Sequence, residues 1–200
     1  MIQFGYHVTT KISASALAAD PTKFWPSQNE YDWLGKGVYF WAVNPSMCAI
    51  WAQHVSASHD SSKFNKEDYS VLKVKLSYSN ILDLTDARKI RLLQSATRSL
   101  LRNNREFGGS RIIPKNSYIN YEGIADANKS DRRNFDCFAI NDFIEEQRRG
   151  GVNYDCVFGA FEVGPRNPPE LSFRRFTNLQ ICMRVPITTG AIELVEVRSL

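Results

Sequence analysis

LGKGVYF, residues 34–40, is the stretch of this 200-residue sequence that says most about its fold. Its glycines bracket a short apolar run that ends at Trp41, which is typical of a strand entered through a tight turn. We expect a helix after this strand, from Pro45 to about Val55, with Trp51 on its apolar face. The stretch therefore predicts a strand–loop–helix unit in the first third of the chain.

Strands are predicted at both ends of the chain and helices in its middle. The predicted strands cover residues 2–8, 37–41, 71–76, 155–161, 179–185 and 191–197, and the predicted helices cover residues 13–19, 45–55, 85–105 and 135–149. Ser13 and Thr85 are the expected N-caps of the first and third helices. This order favours an α+β fold with a mostly antiparallel sheet, in one domain over residues 1–200.

The composition argues against a membrane protein and against a metal site. No apolar run approaches the roughly 18 residues that a membrane span needs, and the start, MIQFGYHVTT, has no basic leader and no long apolar stretch. We therefore expect a protein that stays in the cytoplasm and binds no membrane. Scattered cysteines without metal-ligand spacing predict buried free thiols and no metal; they are Cys48, Cys137, Cys156 and Cys182.

One helix face is purely cationic, although the net charge of the chain is only +4. Between Ala87 and Arg105 there are six basic residues and no acidic one, in a segment with helical apolar spacing. Arg91, Arg98 and Arg102 project from its polar face. Such a face is most often only a solvated surface. Ordinary exposed helices mix both signs of charge, however, so binding of phosphates of NAD or of nucleic acid is the functional alternative.

Three segments carry residues suited to cofactor chemistry. The first, YHVTT, places His7 at the end of a strand, before two hydroxyl side chains. The second is LGKGVYF, with Tyr39, and the third, NLQIC, places Gln180 at the start of a late strand. Taken singly, each also fits a structural role: a hydrogen-bonded histidine, a core tyrosine and an edge-strand glutamine. Their joint occurrence, in this order, favours a functional role.

Together the three segments resemble the signature strands of the ADP-ribosyltransferase superfamily, in its poly(ADP-ribose)-polymerase and diphtheria-toxin branch. That branch carries a histidine, a tyrosine and a third acidic or polar residue on three strands in this order, and LGKGVYF is the most specific match. The stretches YDCVFGAFEVG (154–164) and LQICMRV (179–185) also resemble uncharacterised bacterial relatives. The resemblance covers roughly residues 1–58 and 153–197. It implies a split antiparallel β-sheet core, with a helical insertion at about residues 85–150.

The resemblance also implies an NAD site. Its predicted cofactor-binding residues are His7, Val8, Thr9, Gly37, Tyr39 and Trp51. By this analogy His7 hydrogen-bonds a ribose hydroxyl of the adenosine half, the backbone of Val8 holds the nicotinamide carboxamide, and Tyr39 stacks on the nicotinamide ring. Trp51 or Trp41 covers the other side of that ring. NAD is then a substrate, whose nicotinamide–ribose bond breaks through an oxocarbenium-like transition state.

Gln180 departs from the glutamate that many members of this family have. A glutamine can hydrogen-bond the 2′-hydroxyl of the nicotinamide ribose, but it is uncharged and cannot act as a base. The expected catalytic set of His7, Tyr39 and Gln180 therefore predicts single transfers rather than chain building, with help from another carboxylate or from the acceptor. The candidate carboxylates are Glu162, Glu170, Glu193 and Glu196.

The acceptor is predicted to be a macromolecule, with nucleic acid favoured over protein because the third helix and the late loop are basic. That loop, from Gly164 to Thr177, contains Arg174 and Arg175 and lies where relatives recognise their targets. A protein-modifying transferase and a catalytically silent module that binds NAD or ADP-ribose stay open. Removal of a tRNA 2′-phosphate is disfavoured, because His7 has no neighbouring histidine.

The biological context follows from the chemistry and the family. An unrestrained ADP-ribosyltransferase would poison the cell that makes it. We therefore expect a toxin of a toxin–antitoxin or phage-defence system, held in check by an antitoxin protein.

Overall fold

A seven-stranded sheet forms the centre of the fold. In the computed structural model, residues 1–43, 45–52, 68–106, 111–116, 132–166, 174–184 and 190–200 are described, without the side chains of residues 163–166 and 174–177. The strands are β1 (Ile2–Thr10), β2 (Val38–Trp41), β3 (Tyr69–Ser77), β4 (Ile81–Asp83), β5 (Cys156–Arg166), β6 (Arg174–Met183) and β7 (Ile192–Ser199). Their order across the sheet is β4-β5-β6-β2-β1-β3-β7. All neighbouring pairs are antiparallel except β4 and β5, which are parallel.

Helices cover both faces of this sheet. They are α1 (Lys11–Ala19), α2 (residues 46–52), α3 (Ala87–Glu106) and α4 (Asn134–Arg149), with a short 3-10 turn at Pro21–Lys23. None of the described helices is long and apolar enough to cross a membrane. The predicted α+β class with a mostly antiparallel sheet is confirmed.

The sheet consists of two halves that meet at a single residue pair. β1 pairs with β3 along its whole length, from Ile2 to Thr10, but it pairs with β2 only through Tyr6 and Trp41. Strands β4, β5, β6 and β2 therefore form one half, and β1, β3 and β7 form the other. Beyond Tyr6 and Trp41, the edges of β1 and β2 that face each other are free of ladder pairing.

The two faces of the sheet are packed differently. On the face covered by α1, the α1 face, one apolar core extends across both halves and includes Phe40 of β2, Leu72 of β3 and Ile181 of β6. On the opposite face, the α4 face, the core is divided into two clusters. One lies under α4 around Val157, and the other lies under α2 around Val8. The boundary between these clusters, here called the seam, runs along the line where the two halves of the sheet meet.

Two helix starts differ from the sequence-based prediction. The hydroxyl of Thr10, not of Ser13, caps α1 by accepting a hydrogen bond from the Ser13 backbone amide at 3.3 Å. At α3 the carboxylate of Asp86 accepts from the Arg88 amide at 2.8 Å, while Thr85 bonds to Asp83. In each case the chain enters the helix earlier or later than the apolar periodicity suggests, because capping depends on side-chain reach and not on periodicity.

The last strands are longer than predicted. β5 continues to Arg166 and β6 begins at Arg174, so these strands extend into the segment that the sequence assigned to a loop from Gly164 to Thr177. Backbone pairing to a neighbouring strand outweighs the prolines and polar residues that predict a loop there.

Gly37 fixes how β2 enters the sheet. A Cβ atom there would overlap the backbone carbonyl oxygen of Met183 and would lie 2.6 Å from the Sγ of Cys182. Since the nearer obstacle is backbone, it has no rotamer that would relieve the overlap. Close packing against β6, rather than an open surface for a ligand, is therefore what requires a glycine at this position.

We predict that Gly37→Ala destabilises the protein far more than Gly151→Ala. Gly151 also has a positive φ, +87°, but nothing lies within 4 Å of its Cβ position, so only the backbone strain of about 1 kcal/mol applies. At Gly37 the overlap adds about 1–3 kcal/mol. Free energies of unfolding in urea measure both, and equal losses would show that the close approach to Met183 is wrong.

Candidate active site

Tyr39 and Gln180 lie on neighbouring strands and on the same face of the sheet. Trp41 of β2 pairs with Gln180 of β6, and Tyr39 pairs with Cys182, so these side chains all point to the α4 face. Gln180 is half-buried and has no side-chain hydrogen bond to another described residue. On its other side, on β5, Gly159 is its partner. The structure thus brings two of the three predicted catalytic side chains together at the seam.

The hydroxyl of Tyr39 is hydrogen-bonded to the turn that precedes β2. It donates to the carbonyl of Gly35 at 2.6 Å and accepts from the backbone amide of Leu34 at 2.9 Å. Burial raises the pKa of this phenol well above its ordinary value of 10.0, so it stays neutral. Only the half-buried ring of Tyr39 is left for contact with a ligand.

His7 lies on the opposite face, between two phenylalanines. Its ring centroid is 5.2 Å from that of Phe24 and 5.6 Å from that of Phe40. Its Nδ1 lies 2.9 Å from the backbone carbonyl oxygen of Tyr39. Because a carbonyl only accepts, Nδ1 carries the proton, and the neutral ring keeps Nε2 as an acceptor. The predicted histidine and tyrosine are therefore linked through the backbone of β2 rather than side by side.

The electrostatics of His7 favour this neutral form. Burial lowers its pKa from 6.5 and is the larger effect, while the hydrogen bond to Tyr39 acts in the opposite direction. His7 is therefore suited to accept a hydrogen bond from a hydroxyl group at neutral pH and unsuited to pair with an anion.

Val8 and Thr9 continue β1 past the last pair with β2. The Val8 side chain is 3% exposed and packs on the α4 face with Trp41, Met47 and Cys48. Thr9 follows on the same face as His7, half-buried. Any ligand contact by Val8 must therefore come from its backbone, on the edge that diverges from β2.

Two tryptophans form the wall of the seam nearest α2. Trp51 on α2 is 44% exposed, and its ring meets that of Trp41 edge-on at 5.8 Å. The Trp41 indole is 7% exposed, and its Nε1 has no hydrogen-bond partner among the described residues. Since Trp41 pairs directly with Gln180, this aromatic wall begins beside Gln180, and the Trp41 N–H is a buried donor without a partner among the described residues.

The candidate carboxylates are not well placed to assist Gln180. Glu193 and Glu196 lie on β7, four strand spacings or about 19 Å from β6, and they bond to Lys75 and Arg198. Glu162 of β5 is exposed on the α1 face, opposite Gln180. Glu170 lies outside the described residues.

The predicted phosphate-binding arginines of α3 are exposed. Arg91, Arg98 and Arg102 form no ion pair with a described residue, and α3 as a whole buries no residue. Leu93 and Ala96 pack from the other side of this helix against the cluster under α4. The side chains of Arg174 and Arg175, at the start of β6, lie outside the described part of the chain.

Several contacts of the site were not predicted from the sequence. The amide oxygen of Asn141, on α4, accepts from the Lys36 backbone at 3.1 Å and from Arg184 at 2.9 Å, which fixes the turn before β2. Arg133 lies over the rings of Trp33 and Phe161. No local sequence pattern predicts these contacts, because each joins residues more than 25 positions apart.

The cysteines are buried and free, as predicted, and none is placed to act as a nucleophile. Burial raises the pKa of Cys48 and of Cys182 to about 12, so both remain thiols. Among the described residues, no group of three or more His, Cys, Asp or Glu side chains is arranged to hold a metal ion.

Comparison with known proteins adds little to this description. No protein-family model matches the sequence, and no curated protein matches it. Among solved structures, a chain of the M. tuberculosis MbcT–MbcA toxin–antitoxin complex aligns with 100% of this chain and 85% of its own length. The sequence identity is 13% and the TM-score is 0.47, a likeness that assigns neither a fold family nor a function.

We predict that His7 makes the protein less stable in mild acid. The unfolded chain takes up a proton near pH 6.5, whereas folded His7 resists protonation. Its contribution to stability is therefore complete above pH 6.5 and is lost as the pH falls toward the lowered pKa. His7→Asn keeps a donor for the Tyr39 carbonyl but does not titrate.

Urea unfolding of both proteins between about pH 7.5 and about pH 5 measures the effect. The wild type should lose more stability than His7→Asn over this range. Equal losses, or an NMR titration that places the pKa of His7 at 6.5 or above, would contradict the buried neutral imidazole.

Proposed function

We propose that this protein is an NAD-dependent mono-ADP-ribosyltransferase that modifies nucleic acid. The observation that supports it most is the seam: Tyr39 and Gln180 share one face at the point where β1 and β2 diverge. Trp51 of α2 contacts Trp41, which is the ladder partner of Gln180. A ligand that spans the divergence reaches both the free edge of β1 and the aromatic wall.

NAD has the groups that this arrangement needs. The Nε2 of His7 accepts from a ribose hydroxyl of the adenosine half, and the free edge of β1 at Val8 hydrogen-bonds the nicotinamide carboxamide. The nicotinamide ring lies against Tyr39 and Trp51, since flat rings of this kind gain from offset or edge-on contact. Gly37 contributes by packing closely against β6, and this packing fixes the position of Tyr39 on β2.

The transfer breaks one glycosidic bond and makes another. The bond between C1′ of the ribose and the nicotinamide nitrogen breaks, and its electron pair leaves with nicotinamide, which becomes neutral. A nucleophile of the acceptor forms the new bond to C1′ and loses its proton to water. Charge develops on the ribose in between, and Gln180 orients the 2′-hydroxyl there without supplying a negative charge.

The neutral Gln180 limits the reaction to single transfers. Chain building requires activation of a ribose hydroxyl as the next nucleophile, and no candidate carboxylate among the described residues lies next to Gln180. The acceptor must therefore be a good nucleophile by itself, as ring and exocyclic nitrogens of bases are. The exposed arginines of α3 favour a polyanionic acceptor over a protein.

Such an activity calls for control within the cell. Uncontrolled modification of nucleic acid stops growth, so the protein fits the role of a toxin in a toxin–antitoxin or phage-defence system. An antitoxin protein that covers the seam would be its natural partner.

Radiolabelled NAD tests this function directly. The purified protein is incubated with NAD labelled in the adenine part and with cell lysate treated with RNase, DNase or protease. We expect nicotinamide release and label that survives protease but is lost with one of the nucleases. Label lost to protease alone would establish the protein-modifying alternative, and NAD binding without nicotinamide release would establish the silent module.

Two variants of Gln180 test its assigned role. Gln180→Ala should lower the transfer rate about 10- to 100-fold, because it removes an oriented hydrogen bond to the ribose in the transition state. Gln180→Glu restores a carboxylate and should raise nicotinamide release above the wild-type rate. If both variants keep the wild-type rate while NAD binding is unchanged, Gln180 is only a structural residue of β6.

A further inference from the structure

Two arginines lie over aromatic rings near strand β5. The guanidinium of Arg132 lies 5.3 Å from the ring centroid of Tyr31. That of Arg133 lies 4.9 Å from the ring of Trp33 and 5.0 Å from the ring of Phe161. Arg132 and Arg133 are adjacent in the chain, and Tyr31 and Trp33 are two residues apart. We call the five side chains the arginine–aromatic strip.

The guanidiniums of the strip are only partly paired within the described part of the protein. Arg133 has one acidic neighbour, Asp136, at 3.5 Å, and its buried Nε has no hydrogen-bond partner among the described residues. Arg132 is exposed, and Tyr31 is 41% exposed. A guanidinium that lies over an aromatic ring can still donate its accessible N–H groups to an oxyanion.

The strip is contiguous with the proposed reaction centre. Phe161 of β5 pairs with Asn178 of β6, which lies two residues from Gln180 on the same face. Two residues of strand span about 7 Å. Asn178 is 7% exposed, and its Oδ1 has no partner among the described residues. An extended molecule on the strip therefore reaches Gln180 within the length of one nucleotide.

We propose that the arginine–aromatic strip binds the acceptor, and that this acceptor is single-stranded nucleic acid. A base stacks on the exposed ring of Tyr31, the guanidiniums of Arg132 and Arg133 bind the phosphates, and the next base is presented at Gln180. Aromatic rings alternating with cationic groups suit single strands, whose bases expose their faces; in a duplex those faces are covered. This inference rests on the proposed function and names its acceptor.

The strip differs from the basic face of α3 because it combines cationic groups with aromatic rings. Among the described residues, no aromatic ring contacts Arg91, Arg98 or Arg102 of α3, so these arginines attract phosphate without regard to strandedness. The strip combines both elements in one place. α3 is therefore a general electrostatic contributor, and the strip is the part that distinguishes single strands from duplexes.

Binding is tested by fluorescence anisotropy with labelled DNA and RNA strands of about 12 nucleotides and with the matching duplexes. The test variants are Tyr31→Ala/Arg132→Ala, which alters only exposed side chains, and Arg133→Lys, which keeps the charge but loses the planar guanidinium. Arg148→Ala, at the other end of α4, is the control with the same charge change as the double variant. Circular dichroism and urea unfolding establish that each variant is folded.

We expect the wild type to bind single strands at least tenfold more tightly than duplexes. Both test variants should weaken single-strand binding at least tenfold, whereas Arg148→Ala should change it less than twofold. Arg98→Ala/Arg102→Ala should weaken single strands and duplexes by the same factor. Equal affinity for single strands and duplexes, or test variants that bind like the control, would overturn the proposal.

Nicotinamide release by the same proteins separates this inference from the proposed function. If NAD is cleaved but no oligonucleotide binds, or the label goes to protein, the strip is not an acceptor site and the NAD chemistry stands. If single strands bind at the strip but NAD is neither bound nor cleaved, the proposed function fails and the nucleic-acid surface remains.

Discussion

The structure depends on one narrow junction. Two half-sheets meet at a single ladder pair, Tyr6 with Trp41, and directly beyond it the ring of His7 bonds to the carbonyl of Tyr39. A side chain therefore takes the place of the backbone hydrogen bonds that a continuous sheet would have there. Because an uncharged ring makes this contact at low cost in a buried position, the junction favours neutral histidine.

The junction also explains why the two faces differ. On the α1 face, one apolar core crosses from half to half and holds them together. On the α4 face the packing is interrupted, and the interruption leaves half-buried polar and aromatic groups such as Gln180 and Trp51. On the same face, buried side-chain atoms of Trp41 and Asn178 have no hydrogen-bond partner among the described residues. A protein seldom keeps such groups unpaired, and a ligand or ordered water at the seam would satisfy them.

The turn before β2 explains the residue types of the LGKGVYF stretch. Tyr39 bonds to Leu34 and Gly35, and Asn141 and Arg184 hold the same turn from α4 and from the end of β6. The stretch is therefore a structural joint between three elements as well as a candidate ligand wall. Both roles require its residue types, which is why a purely structural interpretation and a functional one were hard to separate from the sequence.

Local patterns predicted the elements well but not how they meet. Alternation over β3, helical spacing over α3 and α4 and the glycine-bracketed β2 identified the α+β class, and apolar neighbours identified the four buried cysteines. The helix caps at Thr10 and Asp86 differ from the sequence-based prediction because each depends on a single hydrogen bond. The β5–β6 hairpin is longer than predicted because its length depends on pairing between the two strands.

The sequence did not predict on which face of the sheet each site residue lies. The pattern that brings together His7, Tyr39 and Gln180 carries no information on which face each occupies, because a face depends on register. It is register that separates His7 from the other two. Contacts such as Arg133 on Trp33 join residues 100 positions apart, and no local periodicity reports them.

Hydrogen exchange with and without a cleavage-resistant NAD analogue tests most directly whether the junction is the NAD site. Bound analogue should slow exchange at the free edges of β1 and β2, in residues 7–10 and 38–41, and leave α1 and β7 unchanged. Protection confined to α3, or no protection in β1 and β2 at a concentration that saturates binding, would contradict the account.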